Sequence, residues 1–331
     1  MTTPGLNVVI ADTNLLPLRA EIDAGLPAGT TARWPDRQDD AALRAAIADA
    51  DVYVSGDLPA ELAAHGTRLK LVHAAGAGTD GIATGALPAG TVVANTFHHE
   101  KSIAEHVVAA TTVVRRQLRV QDAALREGRW ATPVYDQRAP WLDSLTGATV
   151  GFVGFGHIGQ LTWRRFQAFE AAGVAVTRRG DVDAAAGGLE WAATIDRLDA
   201  LLEAADVVVL SVPLTAETTG LIGAAELARM REHAVLVNVG RGPVVEERAL
   251  YEALRDGVIG GAAIDVWYDY PAPGEVKHPS ALPFHELGNV LMTPHSSGLT
   301  RQTFAGRARD VVANIGRLAA GEPLRNVVIT V

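Results

Sequence analysis

Apolar runs of strand length alternate with helix-length segments along almost the whole chain, and no other feature narrows the possible folds so far. LNVVIA (6–11), DVYVSG (51–56), LKLVHAAG (69–76) and TVVAN (91–95) read as strands, and DDAALRAAIADA (39–50) as a helix with aspartates in its first turn. A second series starts at 148: ATVGFVGFG, VAVTR (174–178), DVVVLSVP (206–213), AVLVNVGRG (234–242), IGGAAIDVW (259–267) and NVLMTPH (289–295) are strands with helical patterns between them. Short, continuously apolar strands separated by helices belong to parallel sheets covered on both faces. The expectation is an α/β chain with two doubly wound parallel sheets. Between the two series, residues 101–126 read as one long helix, apolar first and then charged, and residues 127–147 as an irregular arm rich in Gly, Pro and aromatics. Long irregular segments are usually functional or interfacial. The last thirty or so residues read as an amphipathic helix plus a tail that returns to the first domain.

The 331 residues suffice for two domains. A net charge of -9 with no basic stripe argues against a nucleic-acid partner. Absence of cysteine excludes disulfides, thiolate catalysis and cysteine-ligated zinc. The ten histidines lack HExxH spacing, so no metal is expected. MTTPGLNVVIADTN has neither a basic n-region nor a long apolar h-region, and no apolar run reaches about 18 residues. The expectation is a cytoplasmic protein without a membrane span.

TVGFVGFGHIGQ (149–160) places a GxGxxG pattern where the second series opens. Its chemistry requires strand, glycines, then helix, and that context is present. Gly154 makes the tight turn, Gly156 lets backbone approach a pyrophosphate, and Gly159 lets the helix pack close to the sheet. A dinucleotide site follows as the reading.

With these elements placed, the chain resembles the D-2-hydroxyacid dehydrogenase family over almost its whole length. The residues that carry the resemblance are GFVGFGHIG, SVPLTAETTGLI, VLVNVGRGPVVEERAL, GAAIDVW and LMTPHSSG, in that order. It implies a flavodoxin-like substrate domain, 1–98 plus 297–331, into which an NAD(P)-binding Rossmann domain, 99–296, is inserted. It also implies a homodimer bridged by the helix and arm at 101–147. The cofactor residues it implies are Gly154, Gly156, His157, Ile158, Gly159, Val212, Pro213, Thr218, Val239, Gly240 and Ser297, with Asp265 near the nicotinamide amide.

Hydride transfer to a 2-oxo acid needs a cation for the carboxylate and a proton donor for the nascent alkoxide. Arg241 follows the strand VLVNVG at its C-terminal end, where α/β sheets bind ligands, and a guanidinium can hold a carboxylate bidentately. His295 ends NVLMTPH and suits the role of general acid in reduction and general base in oxidation. The family's third catalytic member is a carboxylate that raises the pKa of this histidine. In DVWYDYPAPG its slot holds Tyr270, with Asp269, Glu275 and Glu286 nearby in sequence. A phenol, neutral below about pH 10, can orient an imidazole but gives an imidazolium no charge partner. The DVWYDYPAP segment also resembles the formate dehydrogenase branch, where an uncharged residue stands at this place.

The resemblance further implies a substrate loop, AAGAGTD, whose Ala77 and Gly78 N–H groups grip the substrate carboxylate. His99 or Lys101 could add a cationic contact, one that would suit a second acidic group such as a phosphonate. An NAD enzyme carries an acid at the end of its second strand to hold the ribose 2′-OH. Here Thr177, Arg178 and Arg179 occupy that end, which favours NADP, while Asp181 and Asp183 just beyond keep NAD open. The leading expectation is an NAD(P)-dependent 2-hydroxyacid dehydrogenase acting on a small acid. One alternative is a relative acting on formate, phosphite or a hydroxyphosphonate. Another is a cofactor-sensing interaction protein of the same fold.

Overall fold

The computed structural model describes residues 5–272 and 274–331. The chain divides into two compact units, Met1–His98 with Thr300–Val331, and His99–Leu299.

The first segment supplies β1 (Asn7–Ile10), β2 (Thr31–Arg33), β3 (Val52–Val54), β4 (Asp57–Leu58), β5 (Leu71–His73), β6 (Gly81–Ile82) and β7 (Val92–Ala94). β4 and β6 form a separate short pair; the others make a parallel sheet in the order β2-β1-β3-β5-β7. Alternate residues of β1 enter different cores: Val9 faces Ile47 and Val72, whereas Val8 and Ile10 face Leu15 and Val311. Asp39 caps the helix Asp40–Ile47 by accepting the Ala42 N–H at 3.0 Å.

The second unit carries β8 (Thr149–Val153), β9 (Ala172–Thr177), β10 (Trp191–Thr194), β11 (Val207–Leu210), β12 (Val235–Asn238), β13 (Gly261–Ile264) and β14 (Val290–Met292). They form one parallel sheet in the order β10-β9-β8-β11-β12-β13-β14. Here too the two-residue period sorts the core. Val207 and Val209 pack with Phe152 and Val107, and Val208 and Leu210 with Leu201 and Leu236. Each fully buried Val or Leu contributes about 1.5–3 kcal/mol of transfer free energy, so both helical layers are held firmly to the sheet. Strand order reverses between β8 and β11, and doubly wound sheets bind ligands at such a point, outside the carboxyl ends of the strands.

The chain then returns through the helix Arg301–Ala320 to β15 (Val327–Thr330), which pairs antiparallel with β7 at the edge of the first sheet. The expected tail is therefore a strand, and that sheet is not purely parallel. The long helix expected at 101–126 is also corrected. It is two helices, Glu100–Arg115 and Leu118–Arg126, broken at Gln117, whose φ of 46° is left-handed. The first helix buries Ile103, Val107 and Ala110 under the second sheet, while the second buries only Ala124. No helix among the described residues is long and apolar enough to cross a membrane.

Candidate active site

The glycine corner follows β8. Gly154 has φ 91°, and a methyl group on it would sit 2.8 Å from Val212 Cγ1 and 3.0 Å from the Ser211 carbonyl, in the loop after β11. The loops after β8 and β11 therefore touch, and the Ser211 hydroxyl donates to the Gly154 carbonyl at 3.1 Å. Gly159, in the first turn of the helix His157–Gln167, lies so close to the corner that a Cβ would be 2.8 Å from the Gly154 carbonyl oxygen. Gly156 differs: a Cβ there would meet no atom within 4 Å. So two glycines are fixed by packing, and the third leaves backbone open at a helix N-terminus, where unpaired N–H groups and the helix dipole favour an anion. His157 opens that helix on its exposed side, and Ile158 packs into the core. A groove of about 840 Å³ runs along this corner, bordered by Gly156, His157, Arg164, Arg179 and Asp183. These residues fit a dinucleotide.

At the end of β9, the Thr177 hydroxyl accepts the Gly180 N–H at 2.9 Å. Both nearby acids are already engaged. Asp181 pairs with Arg179 at 2.8 Å, and Asp183 caps a short helix through the Ala186 N–H at 3.0 Å. Arg178 is exposed, and its charge reaches Glu217; that carboxyl lies below the usual range first through a bond with Thr215 and in smaller part through Arg178. In the loop after β11, the Thr218 hydroxyl donates to the Pro213 carbonyl at 2.6 Å and accepts the Thr215 N–H at 2.8 Å.

Past β12, Val239 is buried, and Gly240 allows an approach that a Cβ, 2.7 Å from the Val212 carbonyl, would block. Gly242 is tighter still, because its Cβ would fall 2.3 Å from the Trp267 carbonyl. Arg241 stands between these two packed glycines, exposed, with its carbonyl held by Asn238 Nδ2 at 3.0 Å. Backbone sterics thus fix the chain at Arg241 just past the carboxyl end of β12, and its guanidinium Nη1 donates to the Gly240 carbonyl at 2.8 Å.

Past β13, Asp265 is buried and accepts the Thr293 hydroxyl at 2.6 Å, the Ser296 N–H at 2.9 Å and the Ser297 N–H at 3.0 Å. Burial alone would raise its pKa, but these hydrogen bonds outweigh burial and the net shift is downward. The clamp holds the turn after β14, where His295 adopts a left-handed φ of 56°. His295 is placed by sequence-distant partners that strand patterning did not reveal: Asp265, which holds the flanking Thr293 and Ser296, and Trp267, whose indole N–H donates to the Thr293 carbonyl at 2.9 Å.

The Tyr270 hydroxyl lies 3.2 Å from His295 Nδ1 and accepts the Trp267 backbone N–H at 3.2 Å. The neighbouring acids are committed elsewhere: Asp269 to Lys277 at 2.8 Å, Glu275 to the Ala272 N–H at 2.8 Å, and Glu286 beside His285 at 4.0 Å. No carboxylate hydrogen-bonds His295 among the described residues. Burial pushes its pKa below the ordinary value; Asp265 pulls it up and Arg241 pushes it further down, with a net lowering.

Ala77 and Gly78 lie in an exposed loop after β5 in the first unit, where Asn95 Nδ2 donates to the Ala77 carbonyl at 2.8 Å. In the second unit His99 precedes the helix Glu100–Arg115 against Gly298, and Lys101 is exposed on that helix's first turn.

A family model described as D-isomer specific 2-hydroxyacid dehydrogenase, NAD binding domain, matches residues 108–297. The D-3-phosphoglycerate dehydrogenase of Mycobacterium bovis is 34% identical over 296 residues, which cover 88% of this chain and 53% of that protein. The chain thus spans about half the length of these relatives. The glycerate dehydrogenase of Methylorubrum extorquens is 33% identical over 271 residues, 78% of this chain and 79% of its own. Among solved structures, an NADPH-dependent glyoxylate/hydroxypyruvate reductase from Sinorhizobium meliloti, in complex with NADP and malonate, superposes with a TM-score of 0.76 at 28% identity, covering 99% of this chain and 98% of that one. The glycine corner, the ordered motifs and these matches together place the chain in the D-isomer specific 2-hydroxyacid dehydrogenase family.

Proposed function

We propose that this chain is an NAD(P)-dependent oxidoreductase that moves a hydride between the nicotinamide cofactor and a small 2-hydroxy or 2-oxo acid. The observation that carries this reading is the arrangement along one edge of the second sheet. Arg241 and His295 follow β12 and β14, on the same carboxyl edge as the glycine corner after β8. Gly154, Gly156 and the helix start at His157 would hold the pyrophosphate, with Val212, Pro213, Thr218, Val239, Gly240, Asp265 and Ser297 along the same edge. The bound cofactor supplies or takes up the hydride. Arg241 would bind the substrate carboxylate through its planar fork and polarise the adjoining carbonyl. His295 Nε2 would exchange the proton with the substrate oxygen, and Tyr270 orients the imidazole from Nδ1.

The finer reading is NADP. Arg178 is available for a 2′-phosphate, and Asp181 and Asp183, the acids just beyond the end of β9, already have partners within the chain. A homodimer is proposed on the apolar surface of the arm, where Trp130, Tyr135 and Trp141 are 60%, 70% and 84% exposed.

Tyr270 in place of a carboxylate favours one second reading, oxidation of formate, in which loss of hydride yields carbon dioxide and no hydroxyl proton has to be removed. The test follows NAD(P)H absorbance with glyoxylate, hydroxypyruvate and other 2-oxo acids, and with formate plus oxidised cofactor. Acid-dependent NADPH oxidation is expected. Cofactor reduction by formate without turnover of any 2-oxo acid would select the second reading.

A further inference from the structure

We infer that Tyr270 is a positioning residue that fixes neutral His295 as the tautomer bearing its proton on Nε2. The inference rests on the reading of His295 as the acid–base group and specifies how that group is set.

The backbone N–H of Trp267 can only donate, so the Tyr270 oxygen accepts there, at 3.2 Å. The phenol then has its own proton to place. The other hydrogen-bond partner of this hydroxyl among the described residues is His295 Nδ1, also at 3.2 Å. Donation to Nδ1 requires a lone pair on that nitrogen, which leaves the ring proton on Nε2. The opposite tautomer would set two N–H donors against one phenol oxygen and leave the phenol proton without an acceptor among the described residues.

The surroundings reinforce this polarity. Asp265 is the acid that acts on the ring, but its oxygens already receive the Thr293 hydroxyl and the Ser296 and Ser297 N–H groups. Arg241, the cation that acts on the ring, can only donate. Trp267 fixes both ends of the arrangement. Its backbone N–H holds Tyr270, and its indole N–H holds the Thr293 carbonyl two residues before His295. The left-handed backbone at His295 limits where the ring can turn.

A carboxylate in the Tyr270 slot would accept only, hold the ring proton on Nδ1 and leave Nε2 bare in the neutral imidazole. Tyrosine inverts that polarity. Neutral His295 meets a substrate oxygen as a hydrogen-bond donor; delivery of a proton from Nε2 still starts from the imidazolium and leaves the ring proton on Nδ1, so the Tyr270 hydroxyl then turns from donor to acceptor. The imidazolium, in turn, gains no charge partner from this side.

The test is nitrogen NMR of the full chain labelled with ¹⁵N-histidine at about pH 8, above the ordinary histidine range. The His295 signals are identified by their loss in His295→Asn. Wild type is expected to show an unprotonated Nδ1 and a protonated Nε2. Tyr270→Phe keeps the ring and loses the donor, so its tautomer preference should relax towards a mixture. Tyr270→Glu should move the proton to Nδ1 and raise the titration midpoint by roughly 1–3 pH units. If Tyr270→Glu does not fold, the difference between wild type and Tyr270→Phe decides. A wild-type proton on Nδ1, or a wild-type pattern equal to that of Tyr270→Phe, overturns the inference. The readout does not depend on turnover. An Nε2–H signature in a protein that reduces no 2-oxo acid would leave the tautomer assignment standing and remove the proposed reaction.

Discussion

His73 and His295 have the same side chain, and each sits at the carboxyl end of a parallel strand, yet their surroundings are opposite. His73 ends β5 in the first unit and is wholly buried. Its Nδ1–H donates to the Ala74 carbonyl at 3.0 Å, and Nε2 accepts from Asn314 Nδ2 at 3.0 Å. Burial pushes its pKa down to about 4, against smaller upward effects of the Ala74 bond and Asp310. Both nitrogens are satisfied, so the ring is locked neutral and joins the sheet to the helix Arg301–Ala320. His295 is also lowered by burial, but only Nδ1 has a partner, in Tyr270, and Nε2 makes no hydrogen bond among the described residues. A histidine with both nitrogens satisfied holds structure together; one with a single uncommitted nitrogen, beside an exposed arginine, is available for chemistry.

Breaking each region should therefore register in a different measurement. Arg241→Lys keeps the charge but loses the fork, and kcat/KM for a 2-oxo acid should fall about 100- to 1,000-fold at an unchanged unfolding midpoint. Efficiency near that of wild type would remove Arg241 from the reaction centre. Asn314→Ala should do the reverse. It strands His73 Nε2 together with the Arg325 N–H and carbonyl that the amide also satisfies. Denaturant titration should show a loss of about 2–4 kcal/mol, with kcat/KM of the remaining folded protein little changed.

Acid should sharpen the same contrast. The folded pKa of His73 lies below the unfolded value, so the unfolded chain binds the proton more readily. Its contribution is constant above about pH 6.5 and turns against folding as pH falls towards 4, by on the order of 2–3 kcal/mol. His73→Gln should flatten that part of the stability profile. An equally steep slope in the variant would assign the acid sensitivity to other groups. The smallest effect expected is on cofactor choice: Arg178→Ala with Arg179→Ala should weaken NADPH relative to NADH by about 1–3 kcal/mol. Titration with each cofactor checks this, and equal weakening of both would argue against the 2′-phosphate assignment.

The sequence made the second sheet readable because each strand is a short apolar run with a two-residue period, and the glycine corner because strand, glycines and helix are contiguous. Arg241 and His295 were visible for a related reason, as polar residues closing apolar runs. What escaped reading depends on pairings across long stretches of chain. β15 is an apolar tail until β7 is beside it, and the break at Gln117 is a left-handed residue within a helix-forming composition. The Asp265 clamp on Thr293, Ser296 and Ser297 joins segments about thirty residues apart. Tyr270 was legible as a departure from the family pattern, but its bond from Trp267 is a matter of backbone direction that no spacing rule reports.

The most direct test of the account measures kcat/KM for NADPH-dependent reduction of a 2-oxo acid, together with the thermal unfolding midpoint, in wild type and His295→Asn. Turnover that depends on the 2-oxo acid is expected in wild type, with a loss of about 100- to 10,000-fold in the variant, as for removal of a general acid, and an unchanged midpoint. A wild-type protein that binds NADPH and reduces no acid, or a variant as efficient as wild type, would contradict it.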